Sequence, residues 1–204
     1  MNAITDEHEY YDQVFEKVHL EQSEILANKF TDCTFVKCSF EAAIISDCRF
    51  SGCTFQECNL SLAQIPGSSF PTTRFEKSKL LGVDWTQGNW SQSELNNLVG
   101  FFGCVISHST FIGLNLKGVQ IKNCVAHEVD FREADLSDVN FKGTDLEKSL
   151  FGRTNLSEAD LRQARNYQID PGNNTLKQAR FALPEAMALL YSMDIVIEQD
   201  DPFW

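Results

Sequence analysis

Three cysteines stand five residues apart in SDCRFSGCTFQECNL, residues 46–60: Cys48, Cys53 and Cys58. Cys33, Cys38, Cys104 and Cys124 bring the chain's total to seven. Thiolates bind metals, attack electrophiles and carry redox equivalents. Each of those chemistries demands its own spacing. Structural zinc sites usually place cysteines two to four residues apart and then repeat the pair, whereas no CxxC occurs here. An odd number cannot pair completely within one chain. His8, His19, His108 and His127 fall in no nucleophile or metal motif, and no G-x-S-x-G, phosphate loop or dinucleotide fingerprint is present. The sequence therefore assigns no catalytic residue, no metal site and no cofactor.

The spacing of the cysteines belongs to a larger pattern. Every fifth residue from Phe15 to Leu95 is apolar, and so is every fifth residue from Phe101 to Leu161. Thirteen of the sixteen Phe lie on this register. Two residues before each apolar position the chain is almost always small, and all seven cysteines occupy that place. A step of five scatters side chains around an α-helix and alternates faces along a flat strand. It keeps one side chain inward only if the chain turns a corner every five residues. Four corners close a coil of about twenty residues, and coils stacked about 4.8 Å apart would line up Phe15 with Phe35, Phe55 and Phe75. Cys48, Cys53 and Cys58 then read as small apolar fillers beside Phe50, Phe55 and Leu60.

The pattern resembles the pentapeptide-repeat family, A-(D/N)-L-x-x around a central Leu or Phe. The resemblance is clearest in READLSDVNFKGTDLEKSLFGRTNLSEADLRQA, residues 132–164. It implies an all-β fold, a right-handed quadrilateral β-helix with a C-terminal helical cap. The expected organisation is an acidic N-terminal tail over 1–12, a β-helix over 13–166 and a cap or dimerisation segment over 167–204. Between the two registers, 86–100 holds a one-residue offset, read as a bulge or a short excursion. Trp90 within it and Phe102 just past it are candidate loop contacts. In the tail, 182–193 reads as a helix and 194–198 as a short strand. Met187, Leu190, Ile195 and Ile197 form a candidate dimer seam, since related members of the family often dimerise through their C-terminal ends.

The formal net charge is -12, which argues against direct nucleic-acid or anionic-membrane binding. The N-terminus has no apolar run, and no stretch of about 18 apolar residues occurs, so the expected location is cytoplasmic. The quinolone-resistance and microcin B immunity type of pentapeptide-repeat protein implies a partner, DNA gyrase or another type II topoisomerase, engaged by DNA mimicry. The alternative is a generic interaction scaffold with an unrelated protein partner. Residues 15–166 carry nineteen acids and fifteen bases, a net -4 over a rod of roughly 36 Å. Duplex DNA carries one charge per about 1.7 Å, so overall charge alone does not make this rod a mimic. Glu128, Asp130, Glu133, Asp135, Asp138, Asp145 and Glu147 form the candidate acidic partner face. Asp before a central residue also belongs to the repeat itself.

Overall fold

The computed structural model describes residues 4–5, 7–90, 99–193 and 195. Its strands are three residues long, and in most of them the central residue is buried and its neighbours are partly or fully exposed. Every strand pairs in parallel with the segment one coil on. Val14–Glu16, Thr34–Val36, Thr54–Gln56, Arg74–Glu76, Gly100–Phe102 and Gln120–Lys122 make a six-stranded sheet. Glu9–Tyr11, Lys29–Thr31 and Arg49–Ser51 make a second, and Glu24–Leu26 pairs with Ile44–Ser46. Isolated parallel bridges continue the ladders as far as Asp160 with Arg180. The result is a right-handed quadrilateral β-helix whose faces are named here by the columns of Phe30, Phe35, Phe40 and Ile45.

The interior is stacked aromatic rings. Phe50 lies between Phe30 and Phe70, with centroids 4.8 and 5.2 Å away and planes within 6° and 3° of parallel. Phe35 stacks on Phe55 at 4.5 Å, and Phe30 meets Phe35 edge-on at 5.3 Å. A twenty-residue coil places identical rings one sheet spacing apart, so offset stacking adds to the burial.

The corners are left-handed. The residue two places after nearly every central residue takes a positive φ, as in Asp32, Asp47 and Glu57 at 54°, 51° and 53°. That conformation costs a non-glycine residue roughly 1–2 kcal/mol. Its N–H is fixed by the next coil in return: Asp32 N donates to Ser51 O at 2.8 Å.

Both ends of the ladder extend past the expected limits. Tyr10 pairs with Phe30 and stacks on it at 5.0 Å, so residues 9–11 are the first rung and not part of a tail. At the other end, bridges reach Thr175 and Arg180. The break at 86–100 is also larger than a one-residue offset. Phe75 pairs with Phe101, and Lys79 and Asp84 bridge to Val105 and Thr110. This coil is 26 residues long, which is six more than its neighbours. An insertion of six and a shift of one look identical to a period of five. Leu95, counted on the apolar register, lies outside the described residues.

The C-terminal helix covers only Met187–Tyr191, well short of 182–193. The turns before it close three residues apart, Met187 N to Pro184 O and Ala188 N to Glu185 O, and are tighter than an α-helix. Ala188 and Leu189 pack partly buried against the core, and Ser192 Oγ donates to Ile169 O at 3.1 Å. The expected strand at 194–198 and Ile197 lie outside the described residues, apart from Ile195. No helix among the described residues is long and apolar enough to cross a membrane.

Candidate partner-binding surface

The cysteines have a specific structural use. All seven are buried free thiols. Cys38, Cys53, Cys58, Cys104 and Cys124 donate to the carbonyls of Phe15, Phe30, Phe35, Phe75 and Phe101, one coil back, at 3.2–3.5 Å. Where the sequence has a hydroxyl at that place, it makes the same bond: Thr73 Oγ1 to Phe50 O at 2.6 Å and Ser109 Oγ to Leu80 O at 2.9 Å. The same atom also accepts. Cys38 N donates to Cys58 Sγ at 3.4 Å, and Cys58 N to Ser78 Oγ at 3.0 Å. The corner N–H groups of Cys38 and Cys58 lie outside the ladder, and buried backbone polar groups must be paired. The polar hydrogen gives these cysteines, serines and threonines a finer role than apolar filling, although Ala43, Ala63, Val119 and Val139 fill the same place without one.

This environment quiets Cys53, Cys58 and Cys124, while the bonds from Cys58 and Cys124 lower Cys38 and Cys104. Burial pushes the Cys53 thiol up to about 12. The hydrogen bond shared with Cys38, and then burial, raise Cys58, and Cys104 does the same for Cys124. Protonated thiols in a packed column are poor ligands and poor nucleophiles. No three His, Cys, Asp or Glu side chains converge to hold a metal among the described residues.

The seven candidate acids do not form one face. Asp130 flanks the Ile45 column, Asp135 the Phe30 column, and Asp145 and Glu147 the Phe40 column, while Glu128, Glu133 and Asp138 sit on three successive corners. Eleven residues travel halfway round the rod, so neighbours in sequence become opposite sides in space. Most of these acids are also engaged. Asp130, Asp135 and Asp145 each accept, through Oδ1, the N–H two residues on, at 3.0, 3.0 and 3.3 Å. That is the Asx turn that the D/N of the repeat supplies. The Arg132 guanidinium holds the Asp130 carboxyl below its usual range, although burial opposes it. Burial is the largest influence on Asp145 and would raise it, but bonds from Asn166, Arg165 and His127 together pull it down. Glu133 pairs with Arg153, Glu128 lies 3.6 Å from His108, and Glu147 lies 3.7 Å from Lys148.

Asp138 is different. It is exposed, and no ion pair to it is found among the described residues. Glu158 stands on the same corner one coil on, also exposed and with positive φ. Asp12 and Asp32 occupy that corner near the other end of the rod. Spacing by twenty, corrected by six across the insertion, would have placed these four on one edge.

Trp90 and Phe102 keep different company. Trp90 Nε1 donates to Trp85 O at 2.6 Å, and its ring lies 6.2 Å from that of Trp85. Phe102 points outward on the Phe35 face with the Arg74 guanidinium 3.7 Å above its ring. Among the seam candidates Leu190 and Ile195 are exposed and Met187 is half-buried. Leu183, Tyr191 and Met193 add exposed apolar surface to the same segment.

A family model described as a pentapeptide repeat region matches residues 28–100, and a model of pentapeptide repeats in eight copies matches 101–138 and 134–165. No curated protein matches the chain. Among solved structures, the chain is similar to trypsin-treated QnrB1, a plasmid-mediated fluoroquinolone resistance protein, at 16% identity, with 95% of this chain and 99% of that one covered and a TM-score of 0.48. It is also similar to HetL, a pentapeptide repeat protein involved in heterocyst differentiation regulation from the cyanobacterium Nostoc, at 17% identity, 85% and 83% coverage and a TM-score of 0.38. With the two models together spanning 28–165, the chain belongs to the pentapeptide-repeat family.

Proposed function

We propose that this protein is non-enzymatic and acts on a protein partner through the outer faces of its rod. The observation that carries this reading is the use made of the reactive side chains. Buried cysteines, serines and threonines are committed to backbone carbonyls inside the coil, which leaves recognition to the outward positions. In its finer form the partner is DNA gyrase or another type II topoisomerase, and the protein is a modulator of the resistance or toxin-immunity kind, working in the cytoplasm without touching nucleic acid itself. Family resemblance supports this form. So does the edge of exposed acids, with Asp138 and Glu158 at one end and Asp12 and Asp32 at the other, to which no ion pair is found among the described residues.

The exposed apolar side chains of Leu183, Leu190, Tyr191, Met193 and Ile195 support a homodimer through the C-terminal segment. A solution mass of one chain by light scattering would remove the dimer.

The partner is tested by supercoiling with purified gyrase, with and without a fluoroquinolone. Supercoiling or its inhibition should change with added protein, and the double substitution Asp138→Lys, Glu158→Lys should weaken the effect several-fold. These two side chains make better probes than Asp135, whose removal would also break a turn. No change at micromolar protein removes gyrase. The second reading, a scaffold for an unrelated protein, then stands. It is favoured by the ion pairs that already occupy Asp130, Glu133 and Asp145.

A further inference from the structure

The positive charges of this acidic chain are unevenly used. Lys17, Lys29, Lys37, Lys148, Arg74, Arg132, Arg153, Arg162 and Arg165 all lie against carboxylates. No ion pair to Lys77, Lys122 or Lys142 is found among the described residues, and these three share one side of the rod. Phe102 pairs with Lys122, and the bridge from Gln120 to Asn140 puts Lys142 on the next rung. Lys77 sits at the adjoining corner, where a Cβ on Gly103 would meet its Cγ at 3.8 Å.

These lysines have no acid beside them on the flat of this face; Asp138 and Glu158 stand on the corner at its other edge. On this face the positions flanking the buried column between Glu76 and Asp160 are Gly100, Phe102, Gln120, Lys122, Asn140 and Lys142. The two acids that bound the stretch are neutralised by Arg74 and Arg162. At the corner beside it stand Gly103, Asn123 and Gly143. In a chain of net charge -12, this is a local reversal of sign.

Phe102 shows that the face is more than a solvated stripe. A Cβ on Gly100 would lie 2.6 Å from Phe102 Cε2. The ring is thus laid back over Gly100, where a side chain would push it aside, and the Arg74 guanidinium covers it at 3.7 Å. The solenoid does not need an outward aromatic there, since the equivalent places one coil away hold Glu76 and Lys122. A fixed aromatic with an arginine, next to free cations, has the composition of a recognition surface.

We propose that the face carrying Arg74, Lys77, Phe102, Lys122, Lys142 and Arg162 binds an extended acidic segment of a partner protein. Rungs rise about 4.8 Å, so Phe102 to Arg162 spans roughly 14 Å, the length of four or five extended residues. Such a segment lies along the rod axis, its carboxylates on the lysine ladder and an apolar residue on the Phe102 ring. A nucleic acid is disfavoured because the field of the rest of the chain repels a long polyanion, whereas a short segment meets only the local charge. The surface is independent of the gyrase reading, because peptide binding is measured without gyrase.

The test is fluorescence anisotropy with a labelled peptide of roughly twelve residues alternating glutamate and threonine around one leucine, at about 50 mM salt. A single-stranded oligothymidylate of similar length is run beside it. The peptide should bind in the micromolar range and weaken about ten-fold when salt rises to about 300 mM. Lys122→Glu with Lys142→Glu should abolish binding, and Phe102→Ala should weaken it several-fold. Lys117→Glu, on the Phe30 face, should leave it within about two-fold; each variant's circular dichroism and melting must match the parent. No peptide binding at low salt overturns the proposal. So does equal loss with Lys117→Glu, or tighter binding of the oligonucleotide.

Discussion

Trp85 stacks on Phe111 with ring centroids 5.6 Å apart and planes 8° from parallel, although twenty-six residues separate them. Elsewhere the same contact is made at a separation of twenty, as between Phe111 and Phe131 at 5.4 Å. The stack therefore continues unbroken across the longer coil. Excising residues 91–96 would restore a coil of ordinary length. The shortened chain should keep its β-rich circular dichroism spectrum and melt within a few degrees of the parent, because loop-length changes cost little. Failure to fold would mean that the insertion is part of the core.

The ring columns should dominate stability. Phe50 is buried and sandwiched between Phe30 and Phe70, so Phe50→Ala removes a ring with partners on both sides and should cost about 3–5 kcal/mol. Phe50→Asp adds an unpaired buried charge and should prevent folding altogether. Denaturant unfolding of the alanine variant, and the yield of folded protein for the aspartate variant, check both.

The small inward position should tolerate a hydroxyl better than a methyl. Cys58 Sγ donates to Phe35 O at 3.3 Å and accepts from Cys38 N at 3.4 Å. Ser68 fills both roles two faces on, donating to Ile45 O at 2.7 Å and accepting from Cys48 N at 2.9 Å. Cys58→Ala leaves the buried Cys38 N–H unpaired and should cost about 1–3 kcal/mol. Cys58→Ser should be the more stable of the two by chemical denaturation. The opposite order would show the position to be apolar filling alone.

Acid should weaken the rod through its turn carboxylates. Asp130 and Asp160 titrate below the ordinary value of 3.8, held there first by hydrogen bonds from Arg132 and Arg162, with burial opposing. A carboxyl whose folded value is depressed binds fewer protons folded than unfolded. Its contribution is therefore complete above the ordinary value and is lost as pH falls through the folded one. Each pair is screened through its exposed arginine and contributes little. Melting temperature should decline from about pH 4 toward about pH 2. Asp130→Asn should flatten part of that decline while keeping the turn, as Asn115, Asn140 and Asn155 do at the same place.

The period of five made the fold legible. It requires corners, the corners require inward columns, and Phe30, Phe50 and Phe70 stack as the register demands. Two things escaped it. A period cannot count insertions longer than itself, so six extra residues looked like one. A period also says which residues point inward but not which acids meet on the outside. Asp130 and Asp138 are eight apart and lie on different sides, whereas Asp138 and Glu158 are twenty apart and share a corner. Phe102 drew notice as a loop contact, but the glycine beneath it and the arginine above it come from folding. Gly100 is adjacent in the chain, while Arg74 is brought there by a coil of unusual length.

The most direct test of a closed interior that leaves function to the outer faces is a thiol count. A reagent that labels exposed thiols should modify none of the seven cysteines rapidly in the native protein and all seven after denaturation without reductant. The purified protein should carry no stoichiometric zinc. Rapid labelling in the native state, fewer than seven thiols on denaturation, or bound metal would contradict it and return the cysteines to chemistry.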